Sequence, residues 1–225
     1  MTAFDIDILS SWPKEVRVLV EQIKYEFDSP ESVSVFRKDE LDATLKHKVR
    51  DYVLYHYTKE SERFPFKKQG LRILDPKLHT TWFLDNFSRH FTPDEISRMQ
   101  EVFEMQNIGY RRQPKGSLYF VNAPQQVGHE LNMMEEFVSY FGGEEIFWNF
   151  KDHYGQSEID ASILAKLKRI GRGCYVRFLG RSADIKHESF ADSVIKKAFG
   201  QEHYSCIGSI SANVPPERII EVKYM

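Results

Sequence analysis

The chain has 225 residues, 41% of them apolar and 14% aromatic, enough for one sizeable core and outside the composition of disordered chains. A net charge of −2 gives the chain as a whole no nucleic-acid footprint, although a local basic stripe stays open. Two cysteines, Cys174 and Cys206, are too few for a disulfide scaffold and fit a reducing interior. Met1-Thr2-Ala3-Phe4-Asp5 is acidic where a signal peptide would be basic, and nothing approaches the ~18 continuous apolar residues of a membrane span. A soluble, cytoplasmic protein with no membrane partner is expected.

Ser11-Trp12-Pro13 predicts the start of a helix through Phe27, with Ser11 as its cap and Val16, Val20, Ile23 and Phe27 on one face. A second helix, from Lys38 or Asp39 to about Arg50, carries Leu41, Leu45 and Val49. These two helices read as a lid or packing layer. Val53-Leu54-Tyr55-His56-Tyr57-Thr58 is an apolar, β-rich run whose last residues surface with a histidine, an aromatic and a hydroxyl side by side. A charged turn (Lys59 to Arg63) follows, and then Gly70-Leu71-Arg72-Ile73-Leu74 as a turn into a short extended piece.

Thr92-Pro93-Asp94-Glu95 is a capping-box helix start, with Ile96, Met99, Val102 and Phe103 as the buried face. The basic turn Arg111 to Gly116 leads into a second aromatic β-run, Ser117 to Val121, ended by Asn122-Ala123-Pro124. A helix is expected from Val127 to Phe141, with Met133 and Met134 as core filler. Gly142-Gly143-Glu144-Glu145 is a flexible turn into Ile146-Phe147-Trp148. Ile159, Ile163, Leu164 and Leu167 define a helix ended by Gly171, Gly173 to Leu179 alternates as a strand, and another helix spans about Glu188 to Phe199. The tail, Tyr204 to Ile210 and then Val214 to Val222, reads as strand, tight turn, strand. No repeat or linker divides the chain, and the simplest architecture is one α+β domain.

Several chemistries lack their residues. No His-Glu-x-x-His, Cys-x-x-Cys or paired ligand spacing supports a metal, and neither a Gly-x-Gly-x-x-Gly nor a Gly-x-Ser-x-Gly pattern occurs. Lys166 to Lys186 is cation-rich (Lys168, Arg169, Arg172, Arg177, Arg181) and reads as a solvated face or a phosphate track.

Three stretches together resemble the ADP-ribosyltransferase superfamily. Tyr55-His56-Tyr57-Thr58 is similar to the strand in which serine or threonine follows a histidine by two residues. Gly116-Ser117-Leu118-Tyr119-Phe120-Val121 resembles the Gly-x-x-Tyr-Phe-Ala strand of the poly(ADP-ribose) polymerase branch, and Ile210 to Val222 resembles the closing strands with their Pro-Glu turn. The resemblance implies a split β-sheet core with peripheral helices over residues 51–225, which holds NAD in a cleft. Residues 1–50 then form an N-terminal helical segment packed on that core. It implies that His56 bonds a ribose of NAD, that the backbone at Tyr57 holds the nicotinamide amide, and that Thr58 helps fix the site. Tyr119, beside Phe120, would stack on the nicotinamide. A glutamate would stabilise the oxocarbenium-like transition state.

Two departures accompany the resemblance. Tyr57 stands where many members have glycine, and the ungapped glutamate position falls on Ser205, which leaves Glu202 or Glu144 for that role. Arg72 and Arg177 are open to a pyrophosphate role or to ordinary surface and ion-pair roles. The implied activity is mono-ADP-ribosylation of a protein or nucleic-acid acceptor by a bacterial toxin or phage-defence enzyme, with a neutralising partner protein conceivable. The alternatives are a catalytically silent binding or regulatory module of the same fold, and a ribonuclease-like toxin using His56 or His203 with Arg169 and Arg172.

Overall fold

The computed structural model describes residues 3–73, 75–108, 117–123, 137–141, 146–147, 150, 157–186, 190–204 and 206–225. Its central strand is β1 (Asp51–Glu60), paired antiparallel along its whole length with β3 (Arg172–Arg181), from Asp51 opposite Arg181 to Glu60 opposite Arg172. The apolar run around His56 therefore extends two residues further at each end. Lys59 and Glu60, expected to open a charged turn, are buried strand residues. The Lys59 ammonium donates to the carbonyls of Ser139 (3.2 Å) and Lys168 (2.5 Å). The Glu60 carboxylate accepts the Phe66 N–H at 2.5 Å and the Tyr224 hydroxyl. Buried charges persist where such partners replace water.

The strands form one six-stranded antiparallel sheet in the order β4-β5-β2-β1-β3-β6. Here β2 is Leu118–Val121, β4 Ile185–Lys186, β5 Ile207–Ile210 and β6 Ile219–Tyr224. Mixed with helices, this is an α+β fold. The tail forms both expected strands but no tight turn pairs them. β5 pairs with β2 and β4, and β6 pairs with β3 at the opposite edge, so the chain between them crosses the sheet. Val214 in that crossing pairs with Leu71 through two backbone bonds of 2.8 Å, and Asn213 accepts the Ile73 N–H at 2.7 Å. Gly70 enters this bridge at φ +73°, where a Cβ would collide with the Val214 carbonyl.

One sheet face, bearing Tyr52, Leu54, Phe120, Val176 and Phe178, packs against α1 (Lys14–Glu26), α2 (Val35–Lys48) and the later helix Ala191–Ala198. Val16, Val20, Ile23, Leu41 and Leu45 are nearly inaccessible, so the first two helices complete this core. Ser11 caps neither of them. It lies in a 3-10 turn and exchanges hydrogen bonds with the backbone of Asp5, while Pro13 precedes α1. Ser34 caps α2, which starts three residues earlier than the sequence suggests. The opposite sheet face carries Val53, Tyr55, Tyr57 and Val121.

The short helix α3 (Phe66–Gln69) packs through Phe66 against the first core, and a second core lies among α4 (Pro76–Phe87), α5 (Pro93–Ile108) and α6 (Glu158–Arg169), so that Ala191–Ala198 is α7. Phe83, Phe87, Met99, Val102, Phe147 and Ile163 fill it. The sequence reading has no counterpart to α4. Its Thr80-Thr81-Trp82-Phe83 favours strand intrinsically, and burial of Phe83 and Phe87 one turn apart overrides that preference. The capping box at Thr92 and Glu95 forms as expected, with bonds of 3.3 and 2.6 Å. The expected helix over 127–141 lies mostly outside the described residues, within which 137–139 are helical.

Candidate functional site

On the edge that faces β2, β1 changes partner along its length. Phe4 bonds first, accepting from the Val53 N–H and donating to the Asp51 carbonyl, both at 2.8 Å. Tyr55 then pairs with Val121, and this is the only β1–β2 register pair among the described residues. From His56 to Glu60 the ladder to β3 continues while the ladder to β2 has ended. Backbone groups alternate in direction along a strand, so Asp51 and Val53 fix the odd residues, Tyr57 included, as those whose N–H and C=O face this edge.

His56 still reaches β2 where that pairing ends among the described residues. Its Nδ1 lies 2.9 Å from the Tyr119 carbonyl oxygen. A carbonyl only accepts, so Nδ1 carries the proton, and in the neutral ring Nε2 is the acceptor. The imidazole shares the sheet face of Leu54 and Thr58, and Thr58 sits half-buried opposite Cys174. Burial, with the nearby Glu60 charge, pushes the Cys174 thiol up to about 12.

What His56 meets is the backbone of Tyr119 and not its ring. Leu118 and Phe120 belong to the core under Leu54, whereas Val121 belongs with Tyr55 and Tyr57. Alternation therefore sets the Tyr119 ring, 41% exposed, on the face opposite the imidazole. Tyr57 shares that opposite face, packs against Tyr175 with centroids 5.8 Å apart, and has its phenol pushed up to about 12 by burial and by the neighbouring Tyr175. Phe120 is a core residue, parallel to Phe190 at 6.1 Å. Arg72 is exposed next to the Leu71–Val214 bridge.

Glu202 is exposed on the segment that leads into β5. Ser209 lies opposite Tyr119, and Cys206 bonds Asn122, so Glu202 comes off the Asn122 end of β2 while His56 touches the Tyr119 end. Glu144 and Ser205 lie outside the described residues, as does the basic turn 111–116. His203, like Glu202, is exposed. Arg177 takes the ion-pair role, holding Asp5 at 2.7 Å.

Two features of the site had no signal in the sequence reading. Asn122 continues the β2–β5 ladder with its side-chain oxygen, which accepts the Cys206 N–H at 2.9 Å, and its buried Nδ2 has no partner. Phe4 occupies the edge of β1 that β2 leaves. Its only sequence mark is the run of apolar residues in alternation, Phe4 and Ile6, both buried.

Among the described residues no group of three or more His, Cys, Asp or Glu side chains could hold a metal ion, and no helix is long and apolar enough to cross a membrane. Comparisons with family models, with curated proteins and with solved structures find no match to this chain.

Proposed function

We propose that this chain is an NAD-consuming mono-ADP-ribosyltransferase that works in the cytoplasm on a macromolecular acceptor, in the manner of a toxin or phage-defence effector. The observation that carries the reading is the contact of His56 Nδ1 with the Tyr119 carbonyl at the point where β1 and β2 part. Two motifs far apart in sequence thereby meet where the β1–β2 register pairing of the described residues ends. The resemblance assigns His56 a hydrogen bond to a ribose hydroxyl and the Tyr57 backbone to the nicotinamide amide. Thr58 adds a hydroxyl on the His56 face.

In the reaction the bond between the nicotinamide nitrogen and ribose C1′ breaks, and its electron pair leaves with nicotinamide. The acceptor's nucleophile then adds to C1′. Positive charge develops on the ribose, and a carboxylate from Glu202 or Glu144 stabilises it. Nicotinamide release by the purified protein, with and without cell lysate, tests the proposal. Release is expected, and Glu202→Gln or Glu144→Gln, whichever removes the working carboxylate, abolishes turnover while NAD still binds.

A catalytically silent binding module is the second reading. The separation of Glu202 from the His56 end of β2, and of the Tyr119 ring from the imidazole face, favours it. NAD binding without nicotinamide release, in the wild type and in both glutamate variants, decides for that reading.

A further inference from the structure

β6 closes one side of the sheet, and the register fixes which of its backbone groups are free. Asp51 and Val53 turn their bonds toward Phe4, so the even residues of β1 face β3 and the odd residues of β3 face β6. The Met225 N–H, bonded to the Gly173 carbonyl at 3.0 Å, keeps that alternation. Glu221, Lys223 and Met225 therefore direct their backbone groups to β3, while the N–H and C=O of Val222 and Tyr224 point away from the sheet. Along this outer edge, among the described residues, only the carbonyls of Ile219 and Ile220 are taken, by the Lys67 ammonium of α3. Ile220 and Tyr224 are 39% and 43% exposed. An open strand edge is a template for another strand.

The side chains select which strand fits. Glu221, opposite Arg177, and Lys223, opposite Tyr175, are exposed on one sheet face, and neither has an ion-pair partner among the described residues. Val222, opposite Val176, lies on the other face. A second copy approaching antiparallel about a two-fold axis sets outward backbone against outward backbone when the axis passes through a residue of β6. With the axis at Glu221 or at Lys223, like charges stand face to face, which destabilises a strand pair. With the axis at Val222, Glu221 lies opposite Lys223 of the second copy, and the symmetry makes that pair twice. Val222 then exchanges both backbone bonds with its counterpart, and Ile220 comes opposite Tyr224 of the second copy. The Ile220 carbonyl has two lone pairs, one for Lys67 and one for that tyrosine's N–H.

We infer that the outer edge of β6 is an interface for a second copy of this chain, joined antiparallel about a two-fold axis at Val222, so that each copy continues the other's sheet. The inference rests on the edge of the sheet and not on the NAD reading.

Analytical ultracentrifugation of the full chain from about 1 to about 200 µM tests it, and a concentration-dependent dimer is expected. Glu221→Lys and Lys223→Glu each oppose like charges across the axis. Each should weaken dimerisation at least about tenfold while circular dichroism shows a folded chain. Mixed in equal amounts, the two variants should dimerise as the wild type does, because one presents two cations and the other two anions. Glu221→Cys and Lys223→Cys, each in a Cys206→Ser background, should cross-link on oxidation only when mixed, since directly opposed residues flanking a bonded pair stand about 4.5 Å apart at Cα. Should a charge variant fail to fold, the cross-link decides. A wild type that stays monomeric overturns the inference and leaves the edge to a strand from another protein. A dimer that both charge variants leave intact, a mixture that does not restore it, or no cross-link in the mixed cysteine variants overturns it as well.

Discussion

At the scale of single residues, position in the fold separates groups that look alike in sequence. Cys174 is buried with its thiol pushed up to about 12, whereas Cys206 is half-buried. A thiol reagent at neutral pH should therefore label Cys206 first and reach Cys174 only on unfolding, a difference that mass spectrometry of the time course reads directly. Gly70 and Gly200 both hold positive φ, at +73° and +77°. A Cβ at Gly70 meets the Val214 carbonyl, and one at Gly200 meets nothing within 4 Å. Gly70→Ala should cost about 2–3 kcal/mol and Gly200→Ala about 1 kcal/mol, measured by urea denaturation. The sequence marks both as turn glycines, but it holds no sign of the Leu71–Val214 bridge that makes one of them indispensable. His56 is similar. Its residue type suggests a role, but its partner is a backbone carbonyl 63 positions away, and backbone atoms leave no trace in residue identity.

At the scale of elements, two helix starts do double duty. The capping carboxylate of α5, Glu95, also accepts Lys166 (2.5 Å) and Ser162 (2.6 Å) of α6. The capping carboxylate of α6, Asp160, also accepts Arg98 of α5 at 3.0 and 3.3 Å. Burial raises the Glu95 pKa, but the bonds from Lys166, Ser162 and the Thr92 N–H together outweigh it and hold the group at about 2. A depressed carboxylate stabilises the fold fully above its unfolded value, near 4.5, and that contribution fades as pH falls through about 2. Glu95→Gln should therefore lower stability at neutral pH and flatten the loss on acidification between those limits, as followed by circular dichroism. Asp160→Asn should cost about 2 kcal/mol, below the range for fully buried pairs because Arg98 is partly exposed. Thr92 and Glu95 announce the box in sequence. The reciprocal grip does not show there, because α5 and α6 are separated by more than 45 residues of chain. β1 was legible for the converse reason: Val53 to Tyr57 is a run of strand-forming residues buried on both faces. Lys59 and Glu60 were misread because the groups that neutralise them come from residues 139, 168, 66 and 224.

At the scale of the whole molecule, mixed helices and strands were readable from periodicity, and the order of strands was not. Three strands lie between the tail strands β5 and β6, although only eight residues of chain separate them. That crossing brings Val214 to Leu71 and carries the chain from the Leu118 end of β2 to the Phe178 level of β3. The central claim is that the place where β1 leaves β2 at His56 binds NAD. Calorimetric titration of NAD into wild type and into His56→Ala, beside a thermal melt of each, addresses it most directly. Saturable binding by wild type is expected, at least about tenfold weaker in His56→Ala, with little change in melting temperature, because the imidazole is half-exposed. Absence of NAD binding by the wild type, or a collapse of stability in His56→Ala with affinity intact, would contradict it and make His56 a structural tie between two strands.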